Sequence, residues 1–206
     1  MTAPGHLVRL VRNRLGANVV IEAEAHPQGD RFLVARERLL ELVAFFRRDP
    51  DADLALLVDI TCVDYGERAA SAIERGAPPR FEVLVQLRSP RLGYRAHIVV
   101  RVAEDDAIVP SLTSHYKAAD ILEREMFEMY GVYPDGHPSL SPVLLYPGFV
   151  GHPLRKDYRA NKRQPLVPVL DEENERAPVI IEDLREETTR EETTREQRAR
   201  DVTGTT

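Results

Sequence analysis

Proline is unevenly distributed along this chain of 206 residues, and its distribution limits which parts can be regular. Eight of the 15 prolines fall between residues 134 and 178. Proline lacks a backbone N–H and fixes φ, so it is excluded from helix interiors and central strands. The sequence therefore predicts a folded domain over residues 1–133, followed by an extended, proline-rich segment over residues 134–178, which we call the strap.

The remaining residues, 179–206, are polar and repetitive, with EETTR occurring twice in succession. Such low-complexity composition predicts a tail that does not fold by itself. The charge is also concentrated near this end: residues 171–206 carry 12 acidic and six basic side chains, whereas residues 1–170 carry 22 of each. A neutral domain lacks the basic field that nucleic acids require, so we expect no nucleic-acid partner.

Helical periodicity is present in three stretches of the domain. Apolar residues recur at helical spacing over residues 6–15 and 36–48, and each pattern predicts a helix. A third helix is predicted to begin at Pro110-Ser111 and to end at Gly131, because proline and serine favour helix starts and glycine favours helix ends.

Five other stretches have the alternation or branched composition of β-strands. Residues 18–24 and 31–35 predict two short strands, and the apolar run 54–62 predicts an interior strand. Residues 81–88 and 94–102 lie on either side of the turn sequence SPRLG, which predicts a hairpin. The helices and strands together predict an α+β domain, with the helices packed on one face of a small mixed β-sheet.

The third predicted helix is apolar on more than one side. Asp120, Arg124 and Glu128 form a polar column at i, i+4 and i+8, but Ile121 and Phe127 flank that column. A helix that is apolar on its outer side is usually covered. We therefore expect either the strap or another protein to lie over it.

Gly-His-Pro occurs twice, and the two copies place His137 and His152 in the same local setting, fifteen residues apart. Together with Glu125 and Glu128, these histidines are suitable ligands for a divalent metal ion. The proline after each histidine favours an extended backbone, so no single rigid element presents both. We favour an architectural role for the two segments, with a freestanding metal-dependent enzyme as an alternative.

Side chains suited to catalysis are scarce in this sequence. The only cysteine, Cys62, lies in a buried strand pattern without a basic neighbour, and neither a GxSxG elbow nor a Gly-rich phosphate loop is present. A single cysteine also excludes an internal disulfide and leaves too few thiolates for an iron–sulfur cluster. Asp59 and Asp64, near the end of the same strand, form a candidate acid–base pair.

Four segments occur in the same order as in one known protein family. They are LLVDITCVDYG at 56–66, RFEVLVQLRS at 80–89, SLTSHYKAADILEREMFEMYGV at 111–132 and GHPLRKDY at 151–158. Together they resemble the 30 kDa subunit, also known as the C subunit, of the proton-pumping NADH-quinone oxidoreductase called respiratory complex I. The resemblance extends over roughly residues 30–160.

The chain departs from the pattern of that family at three places. Family members usually carry Trp at the position of Ile121, Asp at the position of Glu128, and Leu-Arg-Arg at the position of Leu140-Ser141-Pro142. The fold prediction does not depend on these positions, and Ile121 keeps an apolar side chain on the outer side of the helix.

The resemblance implies a non-catalytic structural and assembly role in the hydrophilic arm of an enzyme that passes electrons from NADH to quinone and couples this to proton translocation. Proteins of this family bind no flavin, iron–sulfur cluster or nicotinamide, so FMN and iron–sulfur clusters are expected on partner subunits. The expected neighbours are the large D subunit, which forms the quinone pocket and is called here the quinone-site subunit, and other members of the arm. Similar chains occur in membrane-bound hydrogenases and formate hydrogenlyases, which are an alternative parent complex.

The resemblance also implies a peripheral location on the cytoplasmic side of the inner membrane, with membrane contact only through the complex. The sequence agrees with this expectation, because no apolar run approaches the roughly 18 to 20 residues needed to span a bilayer. Arginines interrupt the apolar positions near the N-terminus, so no secretory signal is predicted.

Charged and histidine side chains of the third helix and the strap are the predicted partner contacts, and no catalytic residue is expected. Each Gly-His-Pro segment is expected to form a backbone corner whose histidine supplies a hydrogen bond at the contact between subunits. The predicted contact residues are Glu123, Arg124, Glu125, Glu128, His137, His152, Arg155, Lys156 and Asp157.

Overall fold

A computed structural model describes residues 4–16, 18–66, 79–159, 161 and 164 of the chain. The predicted tail and most of the strap beyond residue 159 lie outside the described residues. The described helices and strands are, in chain order, α1 (His6–Arg14), β1 (Glu22–Glu24), β2 (Asp30–Val34), α2 (Leu39–Arg48), β3 (Leu56–Asp64), β4 (Phe81–Arg88), β5 (Arg95–Val102), β6 (Ile108–Pro110), α3 (Ala119–Tyr130) and β7 (Tyr133–Asp135).

Five strands form one mixed sheet in the order β1-β2-β5-β4-β3. β2 pairs with β5 in parallel, and every other neighbouring pair in this sheet is antiparallel. The predicted hairpin is the β4–β5 pair, which has β3 on one side and β2 on the other. The prediction of a small mixed sheet is confirmed.

One face of the sheet and the three helices enclose the hydrophobic core. Alternate residues of each strand point to this face, because successive side chains of a strand point to opposite sides. α1, α2 and α3 contribute apolar residues to the same cluster, which confirms that the helices pack on one face. The largest fully buried apolar side chains are Phe32, Phe46, Phe81, Leu7, Leu39, Leu42, Leu54, Leu87, Ile98, Leu112 and Met126.

The start of α1 is capped by a buried carboxylate from the sheet. Asp30 Oδ1 accepts a hydrogen bond from the Gly5 N–H at 2.7 Å, and its Oδ2 accepts from Leu7 N–H at 2.9 Å and Val8 N–H at 3.2 Å. A carboxylate here satisfies N–H groups that have no partner within the helix, and it complements the positive end of the helix dipole. This contact fixes α1 to β2.

Two predicted elements are shorter than expected. The strand predicted over 18–24 is confined to Glu22–Glu24, and the helix predicted over 36–48 begins with a 3-10 turn, Arg36–Arg38, that leads into α2. The start of α2 has no side-chain cap, so its position was weakly marked in the sequence. Among the helices in the described ranges, none is both long and apolar enough to cross a lipid bilayer.

The third helix begins later than predicted. Residues 111–118 form turns, and α3 begins at Ala119. Pro110 instead ends β6, and the Ser111 N–H donates to Asp135 O at 2.8 Å. The predicted start at Pro110-Ser111 is therefore wrong, because pairing with a distant strand outweighs the local helix preference of these two residues.

The strap begins with a short strand. β6 and β7 form a separate two-stranded parallel sheet, in which Ile108 pairs with Tyr133. Pro134 lies within β7, where a position in a short edge strand tolerates its missing N–H. Regular structure therefore continues across residue 133, and the division of the chain into domain, strap and tail stays a prediction.

Candidate functional site

The carboxylate of Glu123 is turned into the protein. Its Oε1 accepts a hydrogen bond from the Leu112 N–H at 2.6 Å, and its Oε2 accepts from Ser111 Oγ at 2.7 Å. The residue is only 2% exposed, and burial raises its pKa above the usual value despite these hydrogen bonds. Glu123 thus holds the turns before α3 in place and is too deep to contact a partner directly.

Arg124 and Glu128 hold the strap against α3. Arg124 donates from Nε to Ser141 O at 2.7 Å and from Nη2 to Pro142 O at 3.2 Å. The Glu128 carboxylate accepts hydrogen bonds from three consecutive strap N–H groups. The three donors are Val143 at 2.8 Å, Leu144 at 2.9 Å and Leu145 at 3.4 Å. Two members of the predicted polar column therefore bind the chain's own backbone.

The first Gly-His-Pro segment is joined to the start of α3 by its histidine. The Ser139 N–H donates to His137 Nδ1 at 3.1 Å, and His137 Nε2 lies 3.1 Å from Asp120 O. A carbonyl oxygen only accepts, so the neutral ring carries its proton on Nε2 and donates it to Asp120. Gly136 precedes this corner with φ +81°. The predicted architectural role fits this geometry.

The second Gly-His-Pro segment caps the end of α3. Helices end with carbonyl groups that lack partners within the helix, and three successive carbonyls of α3 each receive one hydrogen bond from this segment. The bonds are His152 Nδ1 to Glu128 O at 2.9 Å, Leu154 N–H to Met129 O at 3.1 Å, and Arg155 Nε to Tyr130 O at 2.6 Å. The Arg155 cation also complements the negative end of the helix dipole.

Gly131 makes this cap sterically possible. Its φ is +74°, and a Cβ at this position would lie 2.6 Å from His152 Nε2 and 2.6 Å from Arg155 Nη2. Glycine avoids both the strained backbone of an L-residue and this overlap. The predicted helix end at Gly131 is confirmed, and the strap requires glycine there for a second reason.

The two histidines do not form a shared metal site. They bond to the carbonyls of Asp120 and Glu128, eight residues apart on α3 and hence about 12 Å apart along its axis. Within the part of the chain that the structure describes, no three His, Cys, Asp or Glu side chains are grouped to hold a metal ion. Burial lowers the pKa of His152, so its ring is neutral and donates through Nδ1.

Asp64 joins β3, β4 and the strap. It accepts hydrogen bonds from Arg80 Nε and Nη2, both at 3.1 Å, from the Gly66 N–H at 2.7 Å and from the Lys156 N–H at 2.7 Å. Its side chain is fully buried. Burial alone raises the pKa of Asp64, but the hydrogen bonds from Arg80 and the two N–H groups outweigh burial and hold it below the usual value.

Further charges surround Arg80. Its Nη2 lies 2.7 Å from Asp157 Oδ1, and its Nη1 pairs with Glu104. The guanidinium groups of Arg80 and Arg155 both lie near the ring of Phe81, at 5.1 and 5.3 Å from its centre. Asp157 and Arg155, both predicted as partner contacts, are thus part of a charge cluster within the chain, in which the carboxylates of Asp157 and Glu104 remain about half exposed.

The candidate acid–base pair is not supported by the geometry. Asp59 pairs with Gln86 on the outer face of the sheet, whereas Asp64 pairs with Phe81 on the core face. Two carboxylates on opposite faces of one sheet cannot act on the same substrate atom. Burial raises the pKa of Cys62 to about 12, so this thiol is not an activated nucleophile.

The outer side of the strap carries an exposed row of apolar side chains. We define the apolar row as Leu144, Tyr146, Val150 and Leu154, of which Leu144 is 58% and Leu154 is 51% exposed. The strap does cover part of α3, because the ring of Phe127 contacts the ring of His152. Ile121, by contrast, stays 53% exposed. The strap therefore covers one of the two apolar residues flanking the polar column and leaves the other open.

The predicted contact residues fall into two groups. Glu125 and Lys156 have exposed side chains without a bond that fixes them to the rest of the described chain, and Asp157 is also 47% exposed although it pairs with Arg80. The other seven have side chains bound within the chain itself; they are Glu123, Arg124, Glu128, His137, His152, Arg155 and Asp157. A partner-contact role stays a prediction for the residues that are not fully buried. Sequence reasoning missed Arg80 and Asp64 as members of this site, because their pairing depends on β3–β4 register.

Comparison with known proteins identifies the family. The family described as "Respiratory-chain NADH dehydrogenase, 30 Kd subunit" matches residues 32–164, which is more than half of the chain. The chain belongs to this family. The matched residues include β3 to β7, α2, α3 and the part of the strap that bonds to α3.

Curated relatives are similar to this chain over much of its length. The NADH-quinone oxidoreductase C subunit of Caulobacter sp. (strain K31) is 44% identical over 121 residues, which are 59% of this chain and 52% of that protein. The NADH-quinone oxidoreductase C 1 subunit of Rhizobium meliloti (strain 1021) is 37% identical over 157 residues, which are 76% of this chain and 72% of that protein. The chain spans about half to three quarters of the length of these relatives.

Two solved structures share the fold. A trypsin-resistant fragment of Nqo5 matches with a TM-score of 0.53 and 26% identity, covering 65% of this chain and 98% of that one. A chain of the membrane-bound sulfane sulfur reductase, an archaeal respiratory membrane complex, matches with a TM-score of 0.59 and 22% identity, covering 75% of this chain and 85% of that one. The second likeness concerns the fold alone.

Two of the three expected departures from the 30 kDa family pattern lie where α3 meets the strap, whereas the third, Ile121, is exposed. Glu128, where the resemblance led us to expect Asp, places its carboxylate among three strap N–H groups. Ser141 and Pro142, where the resemblance led us to expect an arginine pair, present their carbonyls to Arg124. This member of the 30 kDa family therefore fixes its strap largely through backbone groups.

Proposed function

We propose that this chain is a non-catalytic structural and assembly subunit in the hydrophilic arm of an NADH-quinone oxidoreductase, where it supports electron transfer from NADH to quinone coupled to proton translocation. Membership of the 30 kDa family supports the parent complex. In this proposal no side chain of the chain makes or breaks substrate bonds, and FMN and iron–sulfur clusters are held by partner subunits. The chain lies on the cytoplasmic side of the inner membrane and reaches it only through the complex.

One observation carries the structural role: the strap is fixed to α3 while its apolar row faces outwards. Arg124, Glu128 and His152 hold its backbone through hydrogen bonds, yet Leu144 and Leu154 remain more than half exposed. A backbone that is already ordered loses little conformational entropy when a partner covers it. A prearranged apolar surface of this kind is suited to binding another protein of the complex.

The partner that we propose for this surface is the quinone-site subunit. In this arrangement the apolar row and Ile121 meet the partner, and the exposed side chains of Glu125 and Lys156 lie at the polar margin of the contact. The buried members of the predicted contact set act indirectly, because they hold the strap in the conformation that presents the row.

The experiment replaces exposed residues of the apolar row, so that the fold of the chain is preserved. Leu144→Ser combined with Leu154→Ser is expected to reduce recovery of the quinone-site subunit with the tagged chain by at least tenfold, since covering the exposed halves of two leucines contributes on the order of 1.5 to 3 kcal/mol in total. The measurement is co-purification from cells, followed by native gel electrophoresis of the assembled complex.

The matched control is Ile21→Ser, which changes an equally exposed apolar residue near β1. It is expected to leave recovery of the quinone-site subunit unchanged. Equal recovery in the row variant and the control, with both chains folded, contradicts the proposal. Arg124→Ala is a weaker test, because this arginine binds the strap and its loss acts on assembly even without a direct partner contact.

A further inference from the structure

The five-stranded sheet has an outer face, on the side away from the described helices. The described helices all pack on the other face, together with the core residues of β3, β4 and β5. The strap bonds to α3 and therefore lies on the helix side as well. An interaction on the outer face is thus spatially separate from the proposed contact of the apolar row.

Two arginines face each other at the turn end of this outer face. Arg88 in β4 is directly opposite Arg95 in β5. Ser89 and Tyr94, the next pair, are joined by a backbone hydrogen bond of 2.9 Å, so Arg88 and Arg95 occupy the adjacent non-hydrogen-bonded position, where side chains approach most closely. Their Cβ atoms are about 4.5 to 5.5 Å apart at such a position. Like charges placed directly opposite each other destabilise a hairpin.

Nearby arginines have the carboxylates that this pair lacks. Arg101, on the same face of β5, bonds to Glu82 at 2.8 Å, and Arg91 in the adjoining turn bonds to Asp53 at 2.8 Å. Arg88 and Arg95 are both exposed, and within the described ranges neither forms an ion pair. The two unneutralised charges are therefore concentrated at the exposed, turn-end margin of this sheet face.

Gly29 lies close to the Cβ of Arg95. Its backbone approaches β5 so closely that a Cβ there would lie 2.8 Å from Arg95 Cβ and 2.8 Å from His97 Nε2. The backbone at Gly29 thus packs against the Cβ of Arg95, while the residue as a whole remains exposed. This arrangement keeps the charged end available at the surface.

We propose that the outer face of the sheet binds an acidic helix of a second partner protein, with two carboxylates of that helix paired to Arg88 and Arg95. Residues three or four apart on a helix have Cβ atoms about 5 to 6 Å apart, which matches the separation of the two arginines. The planar guanidinium binds a carboxylate through two parallel hydrogen bonds, so two such pairs fix both position and direction of the helix.

A protein partner suits this surface better than a membrane or a nucleic acid. Segments that hold proteins on anionic membranes carry about four to eight basic side chains, and this margin offers two. Residues 1–170 are electrically neutral, which gives no general attraction for nucleic acid. A chain of the 30 kDa family, by contrast, has other subunits as neighbours.

The test uses Arg88→Glu in the full chain, because this change has opposite expected effects on the chain and on the complex. In the isolated chain, the introduced carboxylate faces Arg95 and the repulsion becomes attraction, so Tm is expected to rise by about 1 to 4 °C. In cells, the same variant is expected to co-purify with about tenfold less of the second partner. The quinone-site subunit is expected to remain bound, which distinguishes this inference from the proposed function.

Arg12→Glu is the matched control, since it reverses an exposed charge on α1, away from the outer face of the sheet. Photo-cross-linking from position 95 in the assembled complex then identifies the contacting peptide. A peptide with Asp or Glu spaced three or four residues apart supports the inference. Partner recovery equal to that of Arg12→Glu overturns it. Arginine-dependent flotation of the chain with phosphatidylserine vesicles, without any cross-linked protein, also overturns it in favour of a lipid surface.

Discussion

Two histidines in the same Gly-His-Pro setting perform similar tasks at opposite ends of one helix. His137 donates to Asp120 O near the start of α3, and His152 donates to Glu128 O near its end. Each preceding glycine has a positive φ, which permits the turn into the histidine. The repeated tripeptide is therefore a device that attaches the strap to α3 at two points.

At the residue scale, we predict that Gly131→Ala destabilises the chain more than Gly136→Ala. Both glycines have similar positive φ values, +74° and +81°, so the backbone strain is comparable. Only at residue 131 would the new Cβ overlap His152 and Arg155, whereas at residue 136 no atom lies within 4 Å. We expect losses of about 2 to 4 kcal/mol and about 1 kcal/mol, respectively.

Urea denaturation of both variants measures the difference between their free energies of unfolding. The cost of backbone strain nearly cancels in this comparison, because the two φ values are similar. Equal losses at the two positions would show that the strap adjusts to a methyl group without cost, and that the close fit at the end of α3 has no energetic weight.

At the scale of elements, the strap caps the C-terminal end of α3, although it lies more than 20 residues further along the chain. α3 has no basic residue in its last turn, and Arg155 from the strap takes that position instead. The ring of His152 is part of the same cap and must be neutral in its buried site. Capping by a segment more than 20 residues away makes the end of the helix dependent on the strap.

The stability of this cap is predicted to fall with falling pH in the mildly acidic range. Burial holds the pKa of His152 below its unfolded value of about 6.5, so the unfolded chain binds a proton that the folded chain excludes. Stability from this residue is complete above about pH 6.5 and decreases below it, by at most about 1.4 kcal/mol per pH unit.

Unfolding free energies of the wild type and His152→Asn, compared between about pH 5 and pH 8, check this prediction. The variant is expected to lose most of the slope. Burial lowers the pKa of His115 as well, so a smaller residual slope is expected in both proteins. An unchanged slope in the variant would exclude His152 as its source.

At the scale of the whole molecule, one buried charge pair joins three distant parts of the chain. Asp64 at the end of β3 accepts hydrogen bonds from Arg80, the residue before β4, and from the Lys156 N–H of the strap, 92 residues away. Removing one member of a buried pair leaves the other charge and several N–H groups without compensation.

Asp64→Asn is therefore predicted to lower stability at neutral pH by about 2 to 4 kcal/mol and to reduce acid sensitivity. The pKa of Asp64 is held below its unfolded value, so its contribution is present above about pH 3.8 and is lost as pH falls through the folded pKa. Asp59→Asn, on the same strand but the outer face, is the control. Equal losses in the two variants at neutral pH would contradict the central role of Asp64.

Local pattern determined much of the fold. The alternation in β4 and β5, the helical spacing in α1 and α2, and the glycine that ends α3 each depend on neighbours within a few residues, and these predictions are confirmed. The four segments between residues 56 and 158 likewise indicated the family, because each of them is a short, uninterrupted stretch of sequence.

Tertiary structure decided whatever depends on partners far apart in the chain. Pro110 became the end of a strand because β7 was available to pair with it. Glu123 and Glu128 turned inwards because N–H groups of a loop and of the strap bind their carboxylates. A hydrogen bond between groups tens of residues apart leaves no periodic trace in sequence. The sequence alone therefore specified which elements form, and only the folded chain specified which polar side chains remain free for another protein.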